Sequence, residues 1–221
     1  MTIEKIPWPI TRFYNSFVCK YLENFYNQIA EEMSQNDIGG TILDVGTGPG
    51  RLPIKIAQLM PMVTIIGMDA SQDMIRIARK NAERAGTNRA KFVVGSTYRT
   101  GFSDSTFDLV VSTGLVHHLK KPTQAFDELY RILKPKREAW MYDGRRDASR
   151  KEMRTTIGDL KGSGWTPPLW IAERVWPYMH VGYKTEEYTH GIVAEALKQS
   201  LFKDYKAVIE DGCIKIVMRK G

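Results

Sequence analysis

A doubly wound α/β fold, built on a mostly parallel seven-stranded sheet, is predicted by three observations on this 221-residue chain. Short β-branched runs alternate with apolar patterns of helical period through its middle, the rhythm that covers a parallel sheet on both faces. The first such run ends in a glycine cluster, Gly46-Thr47-Gly48-Pro49-Gly50, that opens a helix. The length suits one domain of about 150 residues with a modest elaboration. Hydrophobic residues at 43% and charged residues at 26% match an ordinary globular chain, which excludes disorder, collagen-like repeats and disulfide-dense scaffolds.

The elements follow in order. Thr41 to Val45 is a short buried strand, and Arg51 to Met60 carries Leu52, Ile56 and Leu59 at helical spacing, with Pro53 tolerated only in a first turn. Val63 to Met68 is a second strand. Ser71 is the N-cap of a helix with Met74, Ile75, Ala78 and Ala82 on its apolar face, closed by Gly86. Lys91–Val94 and Phe107–Ser112 read as the third and fourth strands. Pro122 opens a helix whose stripe is Phe126, Leu129, Ile132 and Leu133; Pro135 stops it, and Glu138 to Tyr142 is the fifth strand. Glu186 to Leu201 reads as one helix. Tyr205–Ile209 and Cys213–Met218 flank the turn Glu210-Asp211-Gly212 as an antiparallel hairpin at the sheet edge.

Two stretches stand outside the alternation, giving a single domain over 1–221 with four parts: a helical arm to residue 38, a core over 39–146, an inserted cap over 147–184, and a final helix and hairpin over 185–221. The arm is rich in aromatics, Tyr14 among them, and the cap holds Trp165, Trp170 and Trp176 among prolines. Neither shows repeats or low complexity.

Composition narrows the function classes. The net charge of +7 favours anionic partners, but no block of five like charges suggests a nucleic-acid tail. Cys19 and Cys213 form no Cys-x-x-Cys pair and read as small buried apolar residues, while His180 and His190 lack a third spaced ligand, so no metal site is suggested. No apolar run approaches the roughly 18 residues of a membrane span, and the N-terminus has no signal-peptide pattern, which points to the cytoplasm. The sequence does not fix the oligomeric state.

The glycine turn lets a ligand approach the backbone closely and use its N–H groups. It is neither a dinucleotide fingerprint, since Arg51 stands where a third glycine would fall, nor a P-loop. Four motifs in order resemble the class I S-adenosylmethionine-dependent methyltransferases, particularly the ubiquinone/menaquinone-biosynthesis-like group, whose fold is Rossmann-like. They are Leu43 to Gly50, Gly67 to Ser71, Phe107 to Ser112 with His117-His118-Leu119, and Glu128 to Pro135.

The resemblance implies S-adenosyl-L-methionine as cofactor. Asp69, nineteen residues after Gly50, would accept both ribose hydroxyls, and Asp44 would face the ammonium of the methionine end unless it only caps the turn. Gly46, Thr47, Gly48 and Gly50 would form the cradle; Ala70, Met74, Ser96, Thr97 and Ser112 complete the implied cofactor contacts. The family's acidic residue after the third strand is replaced by Gly95-Ser96-Thr97, and its glycine after Lys134-Pro135 by Lys136-Arg137.

Methyl transfer from a sulfonium is an in-line displacement, and a base is needed only for acceptors that must lose a proton. His117 and Asp143, at the carboxyl ends of the fourth and fifth strands, are the catalytic candidates, with packing as the other reading of the histidine. Tyr14, His118, Arg146 and Trp170 are candidates for holding the acceptor. Arg146, Arg150 and Arg154 would share one helix face, either as a solvated row or as recognition of a carboxylate or phosphate. The expected acceptor is a small, possibly anionic molecule, because the arm and cap suit enclosure of a ligand. The alternatives are an RNA or protein methyltransferase and a non-catalytic cofactor-binding protein.

Overall fold

A computed structural model describes residues 22–36, 38–157 and 182–221, with only the backbone of Arg150. The first part of the arm, including Tyr14, and most of the cap, including Trp170, lie outside the described residues. The elements are α1 (Glu23–Gln35), β1 (Thr41–Val45), α2 (Arg51–Leu59), β2 (Thr64–Asp69), α3 (Gln72–Arg84), β3 (Ala90–Val94), β4 (Phe107–Thr113), α4 (Pro122–Ile132) and β5 (Leu133–Gly144). Then come α5 (Arg150–Ile157), α6 (Thr185–Thr189), α7 (Ile192–Gln199), β6 (Asp204–Glu210) and β7 (Cys213–Arg219).

The seven strands stand in the order β3-β2-β1-β4-β5-β7-β6. All pairings from β3 to β5 are parallel, and β7 runs antiparallel to both β5 and β6. The predicted class and strand count hold, with β6 alone forming the hairpin's edge. Alternation along the strands splits the core in two. Leu43, Val45 and Val110 face Phe126, Leu129 and Val193 on one side, while Ile42, Leu109 and Val111 pack with Ile29, Ile56 and Ile75 on the other.

Ser71 caps α3 as expected, its hydroxyl accepting the Met74 N–H at 3.4 Å. Three expectations need correction. Helix α4 ends at Ile132 and Leu133 already belongs to β5, because the residue before a proline avoids helical backbone and Lys134 instead reaches Asp108 at 2.7 Å. The stretch 186–201 is two helices, broken at Gly191, whose backbone (φ −95, ψ −145) leaves the helical region while the Glu187 carboxylate accepts the Ile192 N–H. The arginine row does not form. Ser149 and Glu152 make a reciprocal capping box, with Ser149 N–H donating to Glu152 Oε2 at 2.7 Å and Glu152 N–H to Ser149 Oγ at 3.3 Å. That box starts α5 at Arg150, so exposed Arg146 precedes the helix and shares no helical face with Arg154.

Candidate active site

Strand order reverses on either side of β1, and a cleft opens at the carboxyl ends of β1 to β4, the position that open α/β sheets offer to ligands. It is lined by Gly46 and Gly48 after β1, Asp69, Ala70, Ser71 and Met74 after β2, Ser96, Thr97 and Tyr98 after β3, and Thr113 to Leu115 with His118 after β4.

The glycine turn is built from inside. Gly46 and Thr47 both donate to Met68 O, at 2.8 and 2.9 Å, Gly48 N–H donates to Asp69 Oδ2 at 2.9 Å, and Gly50 N–H to Thr47 O at 3.0 Å. These N–H groups are therefore not the ligand's donors, contrary to the expectation from sequence. What the turn offers is proximity. Gly48, at φ +52, would point a Cβ into open space. Gly50 differs: at φ +76 a Cβ would strike Phe92 and Ala78, so this glycine serves the packing of α2 on its neighbours and is not in the cleft lining.

Two carboxylates flank the turn. Asp69 lines the cleft with both oxygens already used, Oδ2 by Gly48 and Oδ1 by Ser71 N–H at 2.8 Å, and burial raises its pKa against those bonds. Each oxygen keeps a further lone pair for a hydroxyl. Asp44 is 1% exposed and neither oxygen has a hydrogen-bond partner; the Thr47 hydroxyl is also buried and unbonded. Burial pushes the Asp44 carboxyl up to about 7, with nearby Thr47 working the other way and Asp69 adding repulsion. An orphaned carboxylate beside a cleft fits a cationic ligand group such as an ammonium. The residues present thus fit S-adenosyl-L-methionine.

Ser96 Oγ accepts the Tyr98 N–H at 3.3 Å and lies in the cleft wall with Thr97. Ser112 does not: its hydroxyl donates to Val45 O at 2.6 Å, tying β4 to β1, and the β4 contribution to the cleft falls to Thr113 and Gly114.

A 3-10 turn over Val116–His118 carries the histidine pair, whose rings lie 4.0 Å apart. His118 lines the cleft. His117 is 9% exposed, and Asp143 holds it twice: Oδ2 accepts the His117 N–H at 2.9 Å and Oδ1 lies 2.7 Å from Nδ1. With Nδ1 protonated toward the carboxylate, Nε2 keeps a lone pair, and no partner bonds it among the described residues. Asp143 therefore touches the histidine, and neither it nor His117 is in the cleft wall, which His118 reaches instead.

The periodicity gave no sign of Tyr183, edge-on to His117 at 6.5 Å, nor of Tyr188, whose hydroxyl donates to Gly144 O at 3.1 Å and accepts the Tyr183 N–H at 2.9 Å. Arg145, a buried neighbour in the basic stretch, is absorbed structurally by Glu152 at 2.8 Å, Thr185 at 2.8 Å and Asp211 O. No group of three metal-ligating side chains occurs among the described residues, and no described helix is long and apolar enough to cross a membrane.

Residues 42–136 match a family described as a methyltransferase domain. A methyltransferase of Schizosaccharomyces pombe is 35% identical over 100 residues, 42% of this chain and 36% of that protein. A ubiquinone/menaquinone biosynthesis C-methyltransferase of Geobacter sulfurreducens is 34% identical over 99 residues, 44% of this chain and 39% of that one. The match spans a little over a third of the length of these two relatives. A solved structure from Methanococcus maripaludis, assigned as an S-adenosyl-L-methionine-dependent methyltransferase, superposes with a TM-score of 0.74 at 24% identity, over 100% of this chain and 97% of that one, and speaks to the fold. Residues 42–136 thus match a methyltransferase domain, and the fold of the chain is the Rossmann-like fold seen in an S-adenosyl-L-methionine-dependent methyltransferase structure.

Proposed function

We propose that the chain transfers a methyl group from S-adenosyl-L-methionine to a small-molecule acceptor that must lose a proton, with His117 as the base. The observation that carries this reading is the pairing of His117 with Asp143 at 2.7 Å, with the His117 ring centre 4.0 Å from that of His118 in the cleft wall. A carboxylate that fixes one imidazole nitrogen leaves the other as a proton acceptor, the logic of a base oriented by a third group.

The cofactor supplies an activated methyl, so the protein's tasks are holding and orienting. In this reading Asp69 and Ser96 take the adenosine, Asp44 takes the ammonium, and Gly48 lets the ligand lie against the backbone. His118 faces the acceptor and Arg146, exposed just beyond β5, is available to an anionic group on it. Tyr14 and Trp170 belong to the proposed arm and cap of the single domain. A small acceptor also agrees with the erythromycin 3''-O-methyltransferase of Saccharopolyspora erythraea, 33% identical over 110 residues.

The test is transfer of labelled methyl from the cofactor to small-molecule and macromolecular fractions of cell extract. Label in the small-molecule fraction is expected, with His117→Ala and Asp143→Asn each lowering turnover by about 10²–10⁴-fold while cofactor affinity stays near wild type. Salt-sensitive labelling of RNA or protein, or cofactor binding with no transfer to any fraction, would overturn the reading. Full turnover in His117→Ala would remove the base.

A further inference from the structure

We propose that the outer edge of β6 is a homodimer contact, in which two copies of the chain pair their β6 strands antiparallel about a two-fold axis through Val208. Strand β6 closes one end of the sheet, and nothing pairs with its outer edge among the described residues. Lys206 to Glu210 are all exposed, including Val208 at 38% and Ile209 at 51%. An edge of this kind, carrying apolar side chains, is a template for another strand.

The hairpin fixes which backbone groups remain free. The two-residue turn Asp211-Gly212 makes Glu210 and Cys213 a hydrogen-bonded pair, and the register continues without a bulge through Val208↔Lys215 and Lys206↔Val217. Glu210, Val208 and Lys206 therefore direct their N–H and C=O groups at β7. Tyr205, Ala207 and Ile209 direct theirs outward.

A two-fold axis at Val208 matches that phase. Ala207 of one copy then faces Ile209 of the other as a hydrogen-bonded pair, twice, giving four inter-chain N–H···O bonds. Lys206 faces Glu210 of the second copy in the close, non-hydrogen-bonded type of pair, again twice. Lys206 makes no ion pair among the described residues, and Glu210, though it feels the attraction of Lys215 on β7, has no cation at contact distance among them. A lone edge lysine ordinarily repels a second strand, but Lys206-Ala207-Val208-Ile209-Glu210 is its own charge complement when reversed. Moving the axis to Ala207 sets Lys206 against Val208, moving it to Ile209 sets it against Gly212, and moving it to Lys206 sets like charges together.

Sedimentation velocity on the full chain at low ionic strength, over rising protein concentration, tests this. A monomer–dimer equilibrium is expected. Lys206→Glu or Glu210→Lys alone should raise the dimer Kd about tenfold, since two symmetry-related pairs turn repulsive, and the double exchange K206E/E210K should return it toward wild type. Ile209→Pro removes an outward N–H without touching the β7 ladder, so it should abolish the dimer and leave the circular dichroism spectrum unchanged. A monomer at every concentration overturns the proposal. So does a dimer indifferent to Ile209→Pro, which would join through another face, or a charge exchange that fails to restore association.

Discussion

A carboxyl group as buried as Asp44, with neither oxygen bonded, is costly to ionise, and the sign of its effect on stability follows. Its folded pKa of about 7 lies above the ordinary carboxyl value of 3.8. The native state thus holds the proton longer than the unfolded chain does, and stability declines as pH rises from about 4 through 7. Asp44→Asn keeps the shape and cannot ionise, so without ligand it should be the more stable protein at pH 8, by a few kcal/mol, with the gap narrowing as pH falls and closing near pH 3, below the unfolded pKa. Thermal unfolding at both pH values checks this; equal midpoints at pH 8 would mean that Asp44 is not held protonated. Cofactor binding should show the opposite sign, because an ammonium favours the ionised carboxylate: affinity should rise between pH 6 and 8 in the wild type and stay flat in Asp44→Asn. Neither the orphaning of Asp44 nor the internal use of the turn's N–H groups was legible in the sequence. A motif names residues near a ligand, whereas the direction of each donor depends on Met68 and Asp69 of the neighbouring strand.

Between the three glycines of the turn the structure draws a division of labour that spacing alone does not. Gly48→Ala adds a methyl to open space at φ +52, so its stability cost is the left-handed backbone, about 1–2 kcal/mol, and its main loss should be cofactor affinity. Gly50→Ala adds a clash with Phe92 at 2.6 Å and Ala78 at 2.8 Å to the same backbone cost, so unfolding stability should fall further, by about 2–4 kcal/mol. Calorimetric binding and urea midpoints on the pair separate the roles; equal stability losses would refute the packing role of Gly50. Lys136 shows the reverse case. It stands where the family has a glycine and adopts φ +61, so Lys136→Gly should stabilise by about 0.5–1 kcal/mol, the strain relieved less the added chain entropy. An unchanged urea midpoint would mean that this turn carries no strain. Sheet strands were legible because two-sided burial leaves apolar runs, and α3 because Ser71 caps it. The break at Gly191 was not, since it is set by the Glu187 side chain bonding the backbone, whereas the start of α5 was signalled by the Ser149-x-x-Glu152 spacing that the arginine row overrode.

Across the molecule, α1 packs its apolar face on the sheet and is also tied by charge to a strand distant in sequence. Lys215 on β7 bonds Glu32 on α1, 183 residues away in sequence, and Tyr142 on β5 donates to the other Glu32 oxygen at 2.7 Å. The Lys215 ammonium also lies 3.9 Å from the centre of the Trp140 ring. The two partners are unequally placed, Lys215 at 8% and Glu32 at 34% side-chain exposure. Taking away the more exposed partner strands the buried charge, while taking away the buried one leaves a carboxylate that water can reach. Glu32→Gln should therefore cost about 2–3 kcal/mol, softened by the Trp140 face. Lys215→Met should cost about 1 kcal/mol or less, since its chain can fill the same space against Trp140 and Tyr142. The double variant should sit near Lys215→Met, because the stranded charge is gone in both. Urea unfolding of the three variants measures the asymmetry. If Lys215→Met proves as costly as Glu32→Gln, the tie acts through direct attraction between the charges and the unequal burial of its partners is irrelevant to how α1 is held on the sheet.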